Sequence, residues 1–263
     1  MRVALLEARR ESELASLVRR HGGEPVCVPA LREVECDCAE SAALAIDATK
    51  REGAVVALAT GVGLDRWLAV AAMLGRREEL HAALAKATLV CRGPKPVAVL
   101  KREGLTAQVR APAPHTTKEF LAALEGVDVR DRDTVFVHDG GGSRAVPDAL
   151  AARGARVAEV QPYAWALPED PAALRELVGD IVAGRVGAVA FTTQIQAKHL
   201  FDVAESLGSR IALADALRTR VTVAAIGPTT ARVLADLGVP AHVVPVQSSM
   251  GAMVMALLKP PSP

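Results

Sequence analysis

A chain of 263 residues, 51% hydrophobic and only 3% aromatic, carries enough aliphatic side chain for a substantial core, and two domains are the expectation at this length. A net charge of +1 creates no global field, so neither nucleic acid nor an anionic membrane is an expected partner and any anion binding has to be local. No apolar run is long enough to span a bilayer, and MRVALLEARR at the N-terminus reads as a short strand followed by charge rather than a signal peptide; a cytoplasmic monomer is expected.

The predicted elements alternate from the start. Val3 to Leu6 reads as a strand, Glu11 to His21 as a helix and Pro25 to Pro29 as a strand, followed by an extended polar connector from Leu31 to Cys38. Then come a helix Ala39 to Lys50, a strand Ala54 to Ala59, a helix Leu64 to Leu74, a strand Thr88 to Cys91, a helix Val97 to Glu103 and a strand Ala107 to Arg110. After a proline-rich turn the pattern gives a helix Thr117 to Leu124, a strand Thr134 to His138, a helix Ser143 to Arg153 and a strand Arg156 to Gln161. Tyr163 to Leu167 is a second extended connector. A helix Pro171 to Ala183, a strand Ala188 to Phe191 and a helix Gln194 to Leu207 lead to Val221 to Val244, which reads as strand, Gly227-Pro228 turn, helix, Gly238 stop and second strand. A final helix runs from Ser249 to Leu258. Such regular alternation predicts an α/β fold with parallel sheets covered by helices on both faces.

The chain contains its own pattern twice. Leu89 to Val109 aligns with Val223 to Val243 at an offset of 134, pairing Gly93 with Gly227 and Pro94 with Pro228. Val55 to Gly75 aligns with Ala188 to Gly208 at 133, pairing Thr60 with Thr193, and the N-terminal strand aligns with Thr134 to Val137 at 132, pairing Val3 with Val135. Three blocks in one order at nearly one offset imply two copies of an α/β unit of about 131 residues.

In parallel α/β sheets ligands bind beyond the carboxyl ends of the strands, which directs attention to the loops there. They include Glu7 to Arg10, Thr60 to Gly63, Arg92 to Lys95, Ala113 to Thr117, His138 to Arg144, Thr192 to Gln194, Ile226 to Thr230 and Gln247 to Ser249. Small hydroxyl residues, glycine and arginine dominate them, without the paired acids, nucleophile and base sets or Cys/His clusters of most hydrolases and metalloenzymes. Binding and orientation are therefore expected rather than covalent catalysis. Helix N-termini together with Arg9, Arg10, Arg92, Lys95 and Arg144 suit a substrate bearing several carboxylates or phosphates, although such loops also simply cap helices and solvate charge. Cys36 and Cys38 form a C-x-C pair with no second ligand pair nearby, so they, Cys27 and Cys91 are expected to be free thiols and no metal is expected. Gly140-x-Gly142-x-x-Ala145, with Glu159 downstream, is a loose match to a dinucleotide fingerprint, and nucleotide binding stays open as a weaker alternative.

Four stretches together resemble the uroporphyrinogen-III synthase family: IGPTTARVLADLG from Ile226, the FTT at Phe191 to Thr193, ATGVGLDRWL at Ala59 to Leu68, and GGGSRAVPDALAARGARVAEVQPY from Gly140 to Tyr163. The resemblance covers nearly the whole chain. It implies two flavodoxin-like domains joined by a two-stranded linker, one built from residues 1–34 and 168–263 and the other from 35–167; with only two slender connectors between them, the domains are expected to rotate and close on a ligand. It also implies cyclisation of hydroxymethylbilane to uroporphyrinogen III with inversion of the last pyrrole ring, loss of water and no cofactor.

By the same resemblance the linker tyrosine is Tyr163, the only tyrosine, and a catalytic threonine is Thr230. Thr60, Gly61, Arg92, Gly93, Lys95, Thr193, Gly227, Pro228, Thr229 and Arg9 would bind substrate. Tyr163 could equally brace the linker, and Thr230 could serve as a helix N-cap. Where many family members carry a hydroxyl residue in the first copy of the turn this chain has Lys95-Pro96, so a symmetric pair of turn threonines is not expected. A non-catalytic sensor of a tetrapyrrole or another polyanion remains the alternative. The short end after the last helix, Lys259-Pro260-Pro261-Ser262-Pro263, favours a stand-alone enzyme over a fusion.

Overall fold

Short apolar strands buried on both faces organise the protein, whose computed structural model describes residues 1–258; the expectation drawn from Lys259 to Pro263 lies outside the described residues. In chain order the elements are β1 (Arg2–Leu5), α1 (Glu11–Arg20), β2 (Glu24–Cys27), β3 (Arg32–Glu35), α2 (Ala39–Thr49), β4 (Val55–Leu58), α3 (Gly61–Met73), α4 (Arg77–Leu84) and β5 (Thr88–Cys91). They continue with α5 (Pro94–Arg102), β6 (Val109–Arg110), α6 (Thr117–Glu125), β7 (Asp133–Val137), α7 (Ala145–Ala152), β8 (Arg156–Val160) and β9 (Tyr163–Ala166). Last come α8 (Ala172–Val182), β10 (Ala188–Phe191), α9 (Gln194–Ser206), α10 (Arg210–Thr219), β11 (Thr222–Ala225), α11 (Pro228–Asp236) and α12 (Met250–Leu258).

The chain forms two compact units, one from Met1 to Arg32 and from Trp165 onward, the other from Glu33 to Ala164. The first holds a parallel sheet in the order β11-β10-β1-β2, and the second a parallel sheet β6-β5-β4-β7-β8. β3 and β9 pair as a separate two-stranded sheet where the chain passes from one unit to the other. Mapping by the sequence offsets turns β5-β4-β7-β8 into β11-β10-β1-β2, and the register follows: Val55 pairs Thr88 just as Ala188 pairs Thr222. The internal duplication is therefore a structural one.

Side-chain alternation along each strand gives each sheet two cores. In β1, Val3 and Leu5 pack with Leu14 and Val18 of α1 and Met253 and Val254 of α12, while Ala4, and Leu6 just past the strand, join the cluster of α8, α9, α10 and α11. In β4, Val56 and Leu58 face α2, α3, α4 and α5, and Val55 and Ala57 face α6 and α7. Each fully buried Val or Leu in such a position contributes about 1.5–3 kcal/mol relative to exposure, which is what fixes the strand register. Among the described residues no helix is long and apolar enough to cross a membrane. All four cysteines are free, and burial pushes the Cys91 thiol up to about 12.

Several boundaries differ from the sequence reading. Helices α4 and α10 are additions at the same place in both copies: Leu80, Ala83 and Leu84 and, 133 residues on, Leu213, Ala216 and Leu217 are their buried faces. Gly75 and Gly208, at φ 68° and 65°, turn the chain between each of these helices and the one before. The helix α5 begins at Pro94 rather than Val97 because proline is preorganised for the first helical position. The strand expected after Gly238 is reduced to one bridge between Ala224 and Val243, since Pro240 and Pro245 flank the stretch and cannot donate to a ladder. At this edge the Val223 N–H donates to Nδ1 of His242 at 2.9 Å, and at the matching edge the Leu89 N–H donates to Oε1 of Gln108 at 2.7 Å.

Candidate functional site

In the unit built from Glu33 to Ala164, Thr60 leaves β4 in an extended conformation, φ −144° and ψ 155°, and caps α3 by accepting the Gly63 N–H at 3.0 Å. Its hydroxyl lies 3.2 Å from the phenol of Tyr163, a residue 103 positions away that begins β9 and is only 1% exposed. Glycine is needed around this pair for space: a Cβ on Gly61 would lie 2.9 Å from the Lys95 carbonyl oxygen, and one on Gly63 would lie 2.7 Å from that of His138. The loops after β4, β5 and β7 thus meet backbone to backbone. Lys95 projects exposed from the first turn of α5, and Gly93 packs beside the His115 side chain.

Charge at this edge is internally paired. Arg92 Nη1 donates to Asp139 Oδ2 at 2.8 Å and the Gly141 N–H donates to the other oxygen at 3.0 Å. Burial opposes the charge on Asp139, yet the Arg92 guanidinium and these hydrogen bonds hold its carboxyl below the usual range. His138 Nε2 lies 2.8 Å from Glu159, which also receives Arg144 Nη1 at 3.1 Å. Arg92 and Arg144, read from sequence as cations available to an anion, are therefore each engaged with an acid of the chain. The loose dinucleotide match also falls away, because Gly141 is turned onto Asp139, α7 starts only at Ala145, and Glu159 is occupied by His138 and Arg144.

In the other unit Thr193 repeats the Thr60 geometry, with φ −152° and ψ 152° at the N-cap of α9, and forms a capping box with Gln196. Glu7, beyond β1, gathers the Arg9 and Arg10 N–H groups together with Thr192 and Gln196. The Arg9 guanidinium sits 4.4 Å over the Trp165 ring. Gly227 is the N-cap of α11 with Pro228 next to it, and a Cβ there would come within 2.5 Å of Ser248 Oγ. Thr229 is exposed, whereas Thr230 is 4% exposed at the third helical position, so capping does not account for it. Each unit thus holds six of the sequence-derived residues: Thr60, Gly61, Arg92, Gly93, Lys95 and Tyr163 in one, and Arg9, Thr193, Gly227, Pro228, Thr229 and Thr230 in the other. Asp139, the His138 and Glu159 pair, Glu7 and Gln196 were missed as partners; the copy offset, which aligns Asp139 with Glu7, was the available signal.

Comparisons with known proteins fit this architecture. The family model described as uroporphyrinogen-III synthase HemD matches residues 12–255. The uncharacterized protein YjjA of Bacillus subtilis is 30% identical over 265 residues, covering 98% of this chain and 95% of its own. A mutant uroporphyrinogen III synthase of Thermus thermophilus superposes with a TM-score of 0.79 at 28% identity, over 98% of this chain and 97% of that one. The Helicobacter pylori uroporphyrinogen-III synthetase, at 14% identity and a TM-score of 0.55 over 98% and 99% of the two chains, shares the fold. The chain belongs to the uroporphyrinogen-III synthase family.

Proposed function

We propose that the protein cyclises hydroxymethylbilane to uroporphyrinogen III, inverting the last pyrrole ring with loss of water. The observation that supports this most directly is the hydroxyl pair of Thr60 and Tyr163, brought within hydrogen-bond reach at the sheet's carboxyl edge from positions 103 residues apart in one unit. With Tyr163 buried and Thr60 partly exposed, the phenol acts through the threonine. Thr60 Oγ1 accepts from the Gly63 N–H and shares a hydrogen bond with the phenol; with the phenol as the donor in that pair, the threonine proton is left to donate to the departing hydroxyl. Water leaves, the terminal methylene becomes an azafulvene cation, and the last ring attacks it through its substituted carbon. Migration and closure follow, and the proton given to the leaving hydroxyl is recovered when the pyrrole regains aromaticity. Holding the chain ends together supplies up to about 7–11 kcal/mol in such intramolecular steps, so orientation by helix N-termini, Lys95 and the threonines carries most of the acceleration. The substrate's carboxylates are complementary in charge to these donors, which supports the reading. The test is to supply enzymatically prepared hydroxymethylbilane and resolve the product isomers. Isomer III in excess over the spontaneous isomer I is expected; isomer I alone, at the spontaneous rate, would overturn the reading.

A further inference from the structure

Glu7 and Gln196 hold the turn that carries Thr193. One Glu7 oxygen accepts the N–H groups of Arg9 at 3.1 Å and Arg10 at 3.3 Å, and the other accepts the Thr192 hydroxyl and, at 3.5 Å, the Gln196 amide. Gln196, at 0% exposure, donates to Thr192 Oγ1 at 2.8 Å, while its Oε1 accepts the N–H of Thr192 at 2.8 Å and of Thr193 at 3.3 Å. One carboxylate and one buried amide thus tie the loop after β1 to the turn after β10 at residues nearly 190 positions apart.

This arrangement has a directional result. Both polar atoms of the Gln196 amide are engaged, Oε1 by the Thr192 and Thr193 N–H groups and Nε2 by Thr192 Oγ1 and Glu7, so the amide holds the Thr192-Thr193 backbone at two points. Thr193 Oγ1 accepts from the helix at Ile195 N–H, 3.4 Å away, which leaves the hydroxyl proton as that side chain's donor. A glutamine at position 7 would set an NH2 group among donors and undo the pattern.

We propose that Glu7 and Gln196 are positioning residues for the Thr193 hydroxyl, aiming its proton at a carboxylate of the substrate; this rests on the function proposed above. The experiment compares Glu7→Gln, Thr193→Ala and the double variant with the unsubstituted protein on hydroxymethylbilane, reading kcat/KM and isomer ratio, with amide exchange of Thr192 and Thr193 followed by NMR. Glu7→Gln should lower kcat/KM by about 10-fold and raise the share of isomer I, as expected for one misaligned hydrogen bond. In the Thr193→Ala background it should add almost nothing, because both changes remove the same interaction. Penalties that multiply, or a lower melting temperature with an unchanged isomer ratio, overturn the proposal. If the unsubstituted protein forms no isomer III, the functional reading fails while positioning is still decided by exchange. Faster exchange at Thr192 and Thr193 with Ala190 unaffected supports it, and unchanged exchange overturns it. Should Glu7→Gln not fold, the near-isosteric Thr192→Val cuts the same link and is read in the same way.

Discussion

The two units share topology, register and even the backbone angles of their capping threonines, yet they dress the same positions with different chemistry. Asp139 and Glu7 hold the same place after equivalent strands, but Asp139 faces the Arg92 guanidinium whereas Glu7 is satisfied by Thr192, Gln196 and backbone N–H groups. Gly63, three residues after Thr60, is pressed against a carbonyl, and at the matching place after Thr193 stands the buried Gln196. Apolar alternation within the strands specifies the scaffold, and it tolerates almost any loop that satisfies its own polar groups. Divergence between the copies is plain in these loops at the carboxyl ends of the strands, where it changes chemistry while the matching strands keep their register.

Replacing Tyr163 should break the comparison most. Tyr163→Phe leaves Thr60 without the partner that Thr193 also lacks, since the chain has one tyrosine, and so makes the two capping threonines chemically alike. Single-turnover rates on hydroxymethylbilane should fall about 10²-fold, the usual worth of a positioned acid. Thr193→Ala should cost about 10-fold, consistent with one hydrogen bond of 1–2 kcal/mol. Equal losses for the two variants would show that the phenol supplies bracing and no proton.

A smaller effect separates the two strand-end acids. Because the Asp139 carboxyl is held below its ordinary range, its contribution is fully present above the unfolded value, about 3.9, and is lost as pH falls through the lower folded value. Asp139→Asn leaves Arg92 without its carboxylate and should lower stability at pH 7 by about 1–3 kcal/mol. Urea unfolding at progressively lower pH should show that deficit shrinking below about pH 4, where the aspartate of the unfolded chain takes up its proton before the folded one does. A deficit that stays constant with pH would mean the substitution acts through packing.

Much of the scaffold could be read from the amino acids. Parallel α/β alternation follows from strands such as VVAL at Val55 and AVAF at Ala188, which are apolar at every position because both faces are covered. The repeat offsets carried the duplication directly. What escaped was short or depended on distance. Helices α4 and α10 follow glycine turns and open with charge, so their apolar faces span barely two turns. Thr60, Thr193 and the Gly-Pro turns were recognisable as loop chemistry, but Arg92 and Asp139 lie 47 residues apart and Thr192 and Glu7 lie 185 apart. No local pattern announces that an arginine will be neutralised by an acid from another strand. Sequence therefore overstated the free positive charge at this edge.

The last contrast concerns the sheet edges, where one backbone donor in each unit is met by a side chain. Val223 N–H donates to His242 Nδ1 at 2.9 Å, which places that imidazole's proton on Nε2, and Leu89 N–H donates to Gln108 Oε1 at 2.7 Å. An imidazole nitrogen and an amide oxygen thus perform one task at matching positions, each on a residue whose own N–H donates back to the same strand residue. His242→Gln should transplant the second unit's solution into the first and leave stability within about 0.5 kcal/mol of the parent. His242→Ala removes the acceptor altogether and should cost about 1 kcal/mol, with faster amide exchange at Val223. Parallel urea titrations of the two variants, with Val223 exchange as the local readout, decide the matter. If glutamine costs as much as alanine, the edges only resemble one another and the imidazole is held by more than its acceptor nitrogen. If glutamine restores exchange protection, the duplication extends to individual hydrogen bonds, and the interchangeable part of each unit reaches the last strand of its sheet.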